Sequence, residues 1–536
     1  MPSSFSISHN TRKILWWSLG LALIARLICN AVIPLTDTTE ARYGEIARKM
    51  LETGDWITPQ HDYGVPFWAK PPLSTWLSAF SMKIFGVNEF AARFPSVLLG
   101  IGILMLVWQW TKTQRNRDFA LTVCAVLASM SLFFVSSGAV MTDESLVLCT
   151  TLAMIAFWRA INNEYETGST KLWGYLFFVA LGFGILAKGL LVGALVFLPI
   201  VPWVILHRNK PAARGHWRSV WRTLPWLRGS VLMLAISLPW YIAAEHKTPG
   251  FLAYFILGEH FGRFLHSGWN GDKYGNAHAE ALGMIWLFLI MAALPWSFIA
   301  IAKLKGFWKA SLKNTDDDGW LLYLLMWSLV PIAFFTFAHN IIWTYPLPTL
   351  PALAVLIVEL LQRTNIRNFD IQNFDIRNSD TARTNTGNSN TGHSMSPRLA
   401  AASFVTPIVL LILAALYADG HHEFLKSSQK DSAAFYMQNR PSSNSGLYYF
   451  RHRYYSSEFY SGGKAKAIEA EDTAALINND RTDYLVIRRG DLDQLPAPVR
   501  NHFESSATFG NFVVLRETPT APLVSQRTPL TAKAPL

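Results

Sequence analysis

The stretch Leu35-Thr36-Asp37-Thr38-Thr39-Glu40-Ala41-Arg42-Tyr43-Gly44-Glu45-Ile46, answered by Phe67-Trp68-Ala69-Lys70-Pro71-Pro72-Leu73, belongs to a long polar excursion, residues 35–90, near the start of an otherwise apolar chain. Asp37 followed by Glu40 has the spacing of a capping box, in which the first side chain accepts from exposed helix amides and the second reaches back. A helix is therefore expected to start here. Ile46, Ala47, Met50 and Leu51 share one face, Glu45 and Lys49 form an i,i+4 pair with the acid first, and Gly54 stands where a left-handed cap belongs. This predicts a short amphipathic helix lying on a bilayer, with Glu40, Arg42, Tyr43 and Glu45 on its exposed side, since a buried membrane helix would have to find partners for them.

Composition points the same way. Of 536 residues 51% are apolar and only 15% charged, against about 25% charged in ordinary soluble chains. The chain reads as an α-helical polytopic membrane protein. Cys29, Cys124 and Cys149 all sit inside apolar runs and read as small hydrophobes rather than as a disulfide or metal set. The formal charge of +11 is spread over short loops between apolar segments, which fits membrane topology and argues against nucleic acid as a partner.

The first apolar run, about 14–33, follows Arg12 and Lys13, is too long for a signal-peptide core and lacks a small-x-small cleavage site. It is expected to remain as an anchor with the N-terminus in the cytoplasm and Arg26 snorkelling outward. Further spans are expected at about 91–110, 118–137, 145–161, 172–187, 190–207, 229–245, 281–302, 320–338, 345–362 and 398–417, about eleven in all, in a range of 10–13. Loops 112–117, 208–228 and 303–319 are rich in Lys and Arg, whereas 138–144 and 339–346 have none, so the positive loops are assigned to the cytoplasm. The opening loop, the turn at 188–189, the 246–280 loop and the C-terminal tail then lie outside. Residues 364–397 repeat Asn-Phe-Asp-Ile and continue as Asn-, Ser- and Thr-rich sequence, the composition of a disordered linker. The expected division is a transmembrane domain over 1–417 and, over 418–536, a small α/β periplasmic domain with strands near 446–450, 484–488 and 512–515 and a loose tail from Thr518.

Four polar spots share the outer side of this topology. The first is Asp37, Glu40, Arg42 and Tyr43, for which capping and surface charge are the plainer explanation. The second is Lys70, beside Trp68 and held extended by Pro71 and Pro72; it is either a snorkelling lysine or a phosphate-binding one. The third is Met141-Thr142-Asp143-Glu144 in a very short hairpin, where capping competes with a catalytic acid. The fourth is Glu259-His260 with Arg263 in helical register, either an interfacial ion pair and histidine or part of a site. Lys188-Gly189 adds a cation at the tip of a helix pair. So many cations at headgroup depth suit a lipid phosphate better than a neutral substrate. His421-His422-Glu423 reads as a surface run rather than a metal cluster, and Gly-rich phosphate loops and nucleophile elbows are absent from the sequence.

These residues resemble a known family. Glu40-Ala41-Arg42-Tyr43-Gly44-Glu45-Ile46, Gly54-Asp55-Trp56-Ile57-Thr58-Pro59, Lys70-Pro71-Pro72-Leu73, Asp143, Ala187-Lys188-Gly189, Glu259-His260 with Arg263, and Thr344-Tyr345-Pro346-Leu347-Pro348 look like the motifs of the aminoarabinose transferases of lipid A modification. Those enzymes are lipid-carrier-dependent glycosyltransferases and distant kin of the protein O-mannosyltransferases. The resemblance spans roughly residues 15–360. It implies a C-type glycosyltransferase of the bacterial cytoplasmic membrane that moves a sugar from a polyprenyl-phosphate carrier to an envelope glycolipid, lipid A or lipopolysaccharide core, at the periplasmic face. Carried over by position, Lys70 and Arg263 look like cations for the carrier phosphate, and Arg42, Tyr43 and Asp143 like cavity residues. Two positions depart from the pattern: Thr39 stands where an acid usually precedes the motif Glu, and Ala69 where the aminoarabinose enzymes have a Glu that looks like a metal ligand. The resulting expectation has Asp143, Asp37 and Glu40 as acids for catalysis and Arg42, Tyr43, Lys70, Lys188, Glu259, His260 and Arg263 as substrate-binding residues. No metal ligand is assigned and no cofactor is fixed, with a divalent cation as an open option. Protein O-glycosylation is the alternative acceptor class, and lipid or sugar transport the alternative outside enzymes.

Overall fold

The computed structural model describes residues 5–162, 167–207, 217–266, 269–274, 280–303, 305, 319–378, 395–420, 428–477, 479 and 481–518. It contains helices at all eleven expected spans. Among the described residues seven are long and apolar enough to cross a membrane: His9–Val32, Glu89–Gln114, Asp143–Asn162, Thr170–Lys188, Trp226–Lys247, Leu347–Thr364 and Pro397–Ala418. Two more, Leu191–His207 and Trp320–Phe335, are apolar but shorter.

The remaining two expected spans are broken. Arg117–Ser129 gives way at Met130 to Ser131–Ser136, and Met284–Ala292 turns by 109° into Trp296–Ala302. Backbone groups freed by a break inside a bilayer must be satisfied by protein, and here each break serves the other. The Ser131 amide donates to the Leu294 carbonyl at 2.9 Å, the Ser131 hydroxyl donates to the carbonyls of Met291 and Ala292, Trp296 Nε1 donates to Ser129 Oγ at 2.9 Å, and the Thr406 hydroxyl caps the Ser129 carbonyl at 2.7 Å.

The chain divides into two compact units, Met1–Pro34 with Arg42–His421, and Leu35–Ala41 with His422–Leu536. The core of the first is a layer of aromatic rings in which Trp110, Trp158, Trp203, Trp320 and Tyr323 contact one another with centroids 4.7 to 5.9 Å apart. Arg26 does not snorkel. It donates to the Asn30 side chain at 2.8 and 3.0 Å and to the Gly138 carbonyl at 2.7 Å, because a partner one turn away on its own helix satisfies the guanidinium inside the bundle.

The helix Thr39–Thr53 also differs from expectation. It starts where the capping pattern places it, yet Tyr43, Glu45, Arg48 and Lys49 are buried rather than displayed. Glu45 is covered because Arg48 forks onto it at 2.6 and 2.7 Å and Lys49 approaches to 3.6 Å; internal pairing lets both faces of the helix be packed. A short hairpin, β1 (Gln60–Asp62) with β2 (Val65–Pro66), follows it. The helix opening at Leu350 runs on to Asn378, into the stretch read as linker, while residues 379–394 lie outside the described residues.

The second unit is a five-stranded sheet of order β4-β3-β5-β7-β6, with β3 Leu447–Phe450, β4 Ala465–Ile468, β5 Tyr484–Arg488, β6 Phe503–Phe509 and β7 Phe512–Glu517. β3 pairs in parallel with β4 and β5, while β5–β7 and β6–β7 are antiparallel. Parallel neighbours need crossovers, supplied here by Tyr455–Tyr460 and Glu471–Leu476. Central β5 is apolar on both faces, with Tyr484 to Ile487 buried. β4 and β6 were not anticipated, because Ala465–Ile468 has two alanines and a lysine around a single β-branched residue and β6 carries its few apolar residues among serines. His421-His422-Glu423 and residues 519–536 lie outside the described residues.

Candidate active site

Two charged clusters form in the first unit, and they contain most of the residues selected from the sequence. The helix Trp226–Lys247 ends at Thr248, and the chain then winds as a π-helix over Ala253–Gly262 before a single α turn, Arg263–Leu265. π-Helical turns are rare and recur at functional sites. Here the winding seats the His260 imidazole against its own backbone, with Nδ1 2.9 Å from the Phe255 carbonyl. Gly258 and Gly262 face the Trp269 indole so closely that a Cβ would come within 2.6 and 3.0 Å of it.

This turn presents Glu259 to two cations. Lys70 Nζ donates to Glu259 Oε2 at 2.9 Å and Arg263 Nη1 donates to the same oxygen at 3.0 Å, while the Tyr254 hydroxyl donates to Oε1 at 3.1 Å. Arg263 also meets Asp272 at 3.4 Å. Lys70 is fixed from its own side, its ammonium donating to the Ala69 carbonyl at 2.7 Å. The preceding segment is pinned by Tyr274, whose hydroxyl accepts from the Trp68 amide at 3.0 Å and donates to the Pro66 carbonyl at 2.8 Å. Burial pushes the Glu259 carboxyl up, but Lys70 and Arg263 outweigh it and hold it below the usual carboxylate range. Burial, reinforced by the Lys70 charge and opposed by the Phe255 carbonyl, pushes the His260 imidazole down, so it is held neutral at physiological pH.

In the second cluster Asp143 begins one helix and Lys188 ends another, with Lys188 Nζ donating to Asp143 Oδ1 at 2.7 Å. The Thr344 hydroxyl donates to the same oxygen at 3.1 Å, and the Lys188 ammonium lies over the Tyr345 ring at 5.4 Å. Both charged side chains are at most 9% exposed, so each depends on the other for its charge to be tolerated. His260 joins the clusters: its ring lies against Gly189, next to Lys188, where a Cβ would come within 2.7 Å. Arg42 donates to the Tyr274 carbonyl at 2.7 Å and lies over the rings of Tyr43 and Phe67 at 5.6 and 5.9 Å.

Eight sequence-selected residues, Arg42, Tyr43, Lys70, Asp143, Lys188, Glu259, His260 and Arg263, thus belong to one unit, with Lys70, Glu259 and Arg263 in one cluster and Asp143 and Lys188 in the other. Asp37 and Glu40 belong to the other. Asp37 does not serve the opening helix: its carboxylate accepts from the Ser456 amide at 3.1 Å and from the Ser456 hydroxyl, a partner that no local spacing announces. Tyr254, Asp272 and Tyr274 were missed. Only the Gly271-Asp272-Lys273-Tyr274 turn signal pointed to the last two. Among the described residues no three His, Cys, Asp or Glu side chains converge as metal ligands.

A family model described as dolichyl-phosphate-mannose-protein mannosyltransferase matches residues 20–255. The chain is 32% identical over 325 residues to an undecaprenyl phosphate-alpha-4-amino-4-deoxy-L-arabinose arabinosyl transferase of Enterobacter sp. (strain 638), covering 60% of this chain and 54% of that one. It is 30% identical over 364 residues to the protein of that name from Edwardsiella ictaluri (strain 93-146), covering 67% and 61%. The chain therefore spans less than two thirds of the length of these curated relatives. The crystal structure of ArnT from Cupriavidus metallidurans bound to undecaprenyl phosphate superposes with a TM-score of 0.71 at 18% identity, over 94% of this chain and 97% of that one. Its apo state gives 0.68. At that identity the likeness is one of fold. In its sequence relatives and in its fold the chain is thus similar to the aminoarabinose transferases, and over residues 20–255 to the protein mannosyltransferase family.

Proposed function

We propose that the chain is a glycosyltransferase that moves a sugar from a polyprenyl-phosphate carrier to an envelope glycolipid, lipid A or lipopolysaccharide core, at the periplasmic face of the bacterial cytoplasmic membrane. The observation that carries the reading is the pair of cations Lys70 and Arg263, drawn together on one carboxylate oxygen and each still about a quarter exposed. An ammonium and a guanidinium held side by side are suited to a phosphate. The relatives named for undecaprenyl-phosphate donors support the same donor class.

The donor is already an activated phosphate diester whose leaving group is the carrier monophosphate, so the protein has mainly to neutralise charge on the departing phosphate and to orient the acceptor. Lys70 and Arg263 do the first. For the second, Asp143 is the suited acid. Its Oδ1 is held by Lys188 and Thr344, which fixes the carboxylate plane and leaves Oδ2 to accept from the incoming acceptor group. His260, bonded through Nδ1 to the Phe255 carbonyl and packed on Gly189, keeps the two clusters in register. Arg42 on its aromatic bed is placed for the sugar or for acceptor anions. A glycolipid acceptor is preferred to a protein because the relatives matched over most of this chain are named as arabinosyl transferases.

Lys70→Ala and Arg263→Ala each remove a charge-assisted bond worth about 1.5 to 3 kcal/mol, so each should raise the KM for a polyprenyl-phosphate sugar by roughly ten- to a hundredfold. Lys70→Arg should not restore it, since the forked guanidinium is larger. The readout is sugar transfer in detergent micelles, with mass spectrometry of lipid A and lipid-linked sugars in a deletion strain to identify the acceptor. Normal donor dependence in both alanine variants would make these residues interface anchors and overturn the reading.

A further inference from the structure

Glu259 is arranged unlike a residue that binds substrate. Its carboxylate is only 3% exposed, while the cations it pairs with, Lys70 and Arg263, are 21% and 24% exposed. The acid therefore lies behind the cations, and the cations face the open side. Its bonding is asymmetric as well: one oxygen takes both cations and the other takes only the Tyr254 hydroxyl. A surface ion pair would be dispersed in solvent and worth little; this carboxylate is fixed by three donors.

Among the described residues, Lys70 and Arg263 are opposed by Glu259 and by Asp272, itself 7% exposed, so the charges of these four ion-paired side chains sum to zero. The reaction changes the charge of its ligand. The bond between the anomeric carbon and the carrier phosphate oxygen breaks with its electron pair going to that oxygen, a new bond forms from the acceptor oxygen to the anomeric carbon, and the acceptor proton goes to the base. The donor is a diester with one negative charge, and the spent carrier is a monoester with about 1.5 to 2. Two cations without a counter-charge would hold the spent carrier more tightly than the next donor, and turnover would stall on product.

We propose that Glu259 is a positioning residue with a second role: it draws Lys70 and Arg263 onto one oxygen, and its fixed negative charge behind them weakens the grip on the monoester more than on the diester, so that spent carrier leaves. The proposal rests on the reading of Lys70 and Arg263 as the carrier-phosphate site. One unit charge acting across a partly solvated site at roughly 5 to 6 Å corresponds to about a tenfold difference in binding between ligands that differ by about one charge.

The test compares, in detergent-solubilised full-length protein, the inhibition constant of polyprenyl monophosphate with the KM of the polyprenyl-phosphate sugar. Glu259→Gln keeps the shape and one acceptor oxygen for the two cations, turns the other position into an amide donor toward the Tyr254 hydroxyl, and removes the charge. It should lower the inhibition constant about tenfold further than it lowers the donor KM, with a reduced kcat relieved by dilution of product. Glu259→Asp keeps the charge but withdraws it by one methylene, and should give a ratio between parent and Gln variant; it carries the same test if the Gln variant does not fold. A ratio unchanged in the folded variants, or both lipids weakened equally, would reduce Glu259 to a structural role and overturn the proposal. Lys70→Ala separates the two readings: loss of affinity for both lipid phosphates with an unchanged Glu259 ratio sinks only the counter-charge, whereas no effect of Lys70→Ala on either lipid sinks the carrier site itself.

Discussion

Replacing Lys188 by Met would leave Asp143 charged, buried and without its cation. At 2.7 Å the direct attraction is about 6 kcal/mol for an effective dielectric near 20, and most of it is spent against the desolvation of two groups that are at most 9% exposed. The net worth of such a pair is small, but breaking it is expensive, about 3 to 5 kcal/mol, because one charge is stranded. The Thr344 hydroxyl at 3.1 Å offsets part of that, which places Lys188→Met toward the lower figure. Asp143→Asn strands Lys188 instead, whose ammonium keeps the Tyr345 ring at 5.4 Å, so it should be the milder of the two. The double variant, Asp143→Asn with Lys188→Met, removes both charges and should recover most of the lost stability. Turnover should not follow. Asp143→Asn is expected to cost roughly a hundredfold or more in kcat, the scale of acid–base assistance, and the double variant should stay as slow while being stable. Thermal unfolding of purified protein in detergent, run alongside sugar transfer for all four members of the cycle, reads both quantities. If Lys188→Met unfolds with the parent, or the double variant is no more stable than the worse single one, the two side chains are not a mutually dependent buried pair. If Asp143→Asn turns over at the parental rate, Asp143 does not orient the acceptor.

Burial lifts the Asp37 carboxyl from an ordinary 3.8 to about 6, with the Ser456 hydroxyl and amide opposing. The folded form thus holds the proton more readily than the unfolded one, so this contribution is fully present below pH 3.8 and is lost as pH rises through about 6. For a partly exposed group it amounts to about 1 to 2 kcal/mol; hydrogen exchange over residues 428–518, corrected for intrinsic rates, should show protection falling between pH 5 and 7.5, and Asp37→Asn should flatten that fall. Gly189 sits at φ +70° with a Cβ position 2.7 Å from the rings of His260 and Phe255, so Gly189→Ala should cost about 1 to 3 kcal/mol from backbone strain and displaced rings and lower turnover with it. Gly193→Ala, in open space, is the control, and equal unfolding temperatures for the two would contradict the close packing of His260.

The membrane helices were legible because hydrocarbon demands about 20 apolar residues in a row, and runs such as 91–110 and 398–417 supply them with few alternatives. The breaks at Met130 and near Pro295 were not, since proline also stands inside unbroken helices here, at Pro95, Pro239 and Pro331; whether a helix breaks depends on which neighbour can take the freed carbonyls. Lys70, Asp143, Lys188, Glu259 and Arg263 could each be picked out as charges where a membrane turn needs none. Their partners could not. Asp143 meets Lys188 45 positions away, and Lys70 meets Glu259 189 positions away, distances over which no periodicity operates. The same limit misled the reading of Asp37, for which a capping role was locally sufficient while Ser456, 419 positions on, held the carboxylate. Glu45 was read as exposed because its neighbours in sequence gave it a surface pattern, and the fork of Arg48 that lets it be buried involves a choice of rotamer that spacing does not record.

The two broken helices bear on how the chain enters its membrane. The breaks in segments 117–136 and 284–302 complete each other's hydrogen bonding: the Ser131 amide donates to the Leu294 carbonyl and the Ser131 hydroxyl to that of Ala292, and Ser131 is synthesised about 150 residues before them. Each unsatisfied backbone group in hydrocarbon costs several kcal/mol. The earlier segment must therefore wait at the translocon or at the bilayer surface, or carry water with it, until the later one emerges. Assembly of this bundle is then not a sequence of independent insertions but includes one paired step, and Ser131→Ala should lower the yield of inserted protein before it affects the finished fold.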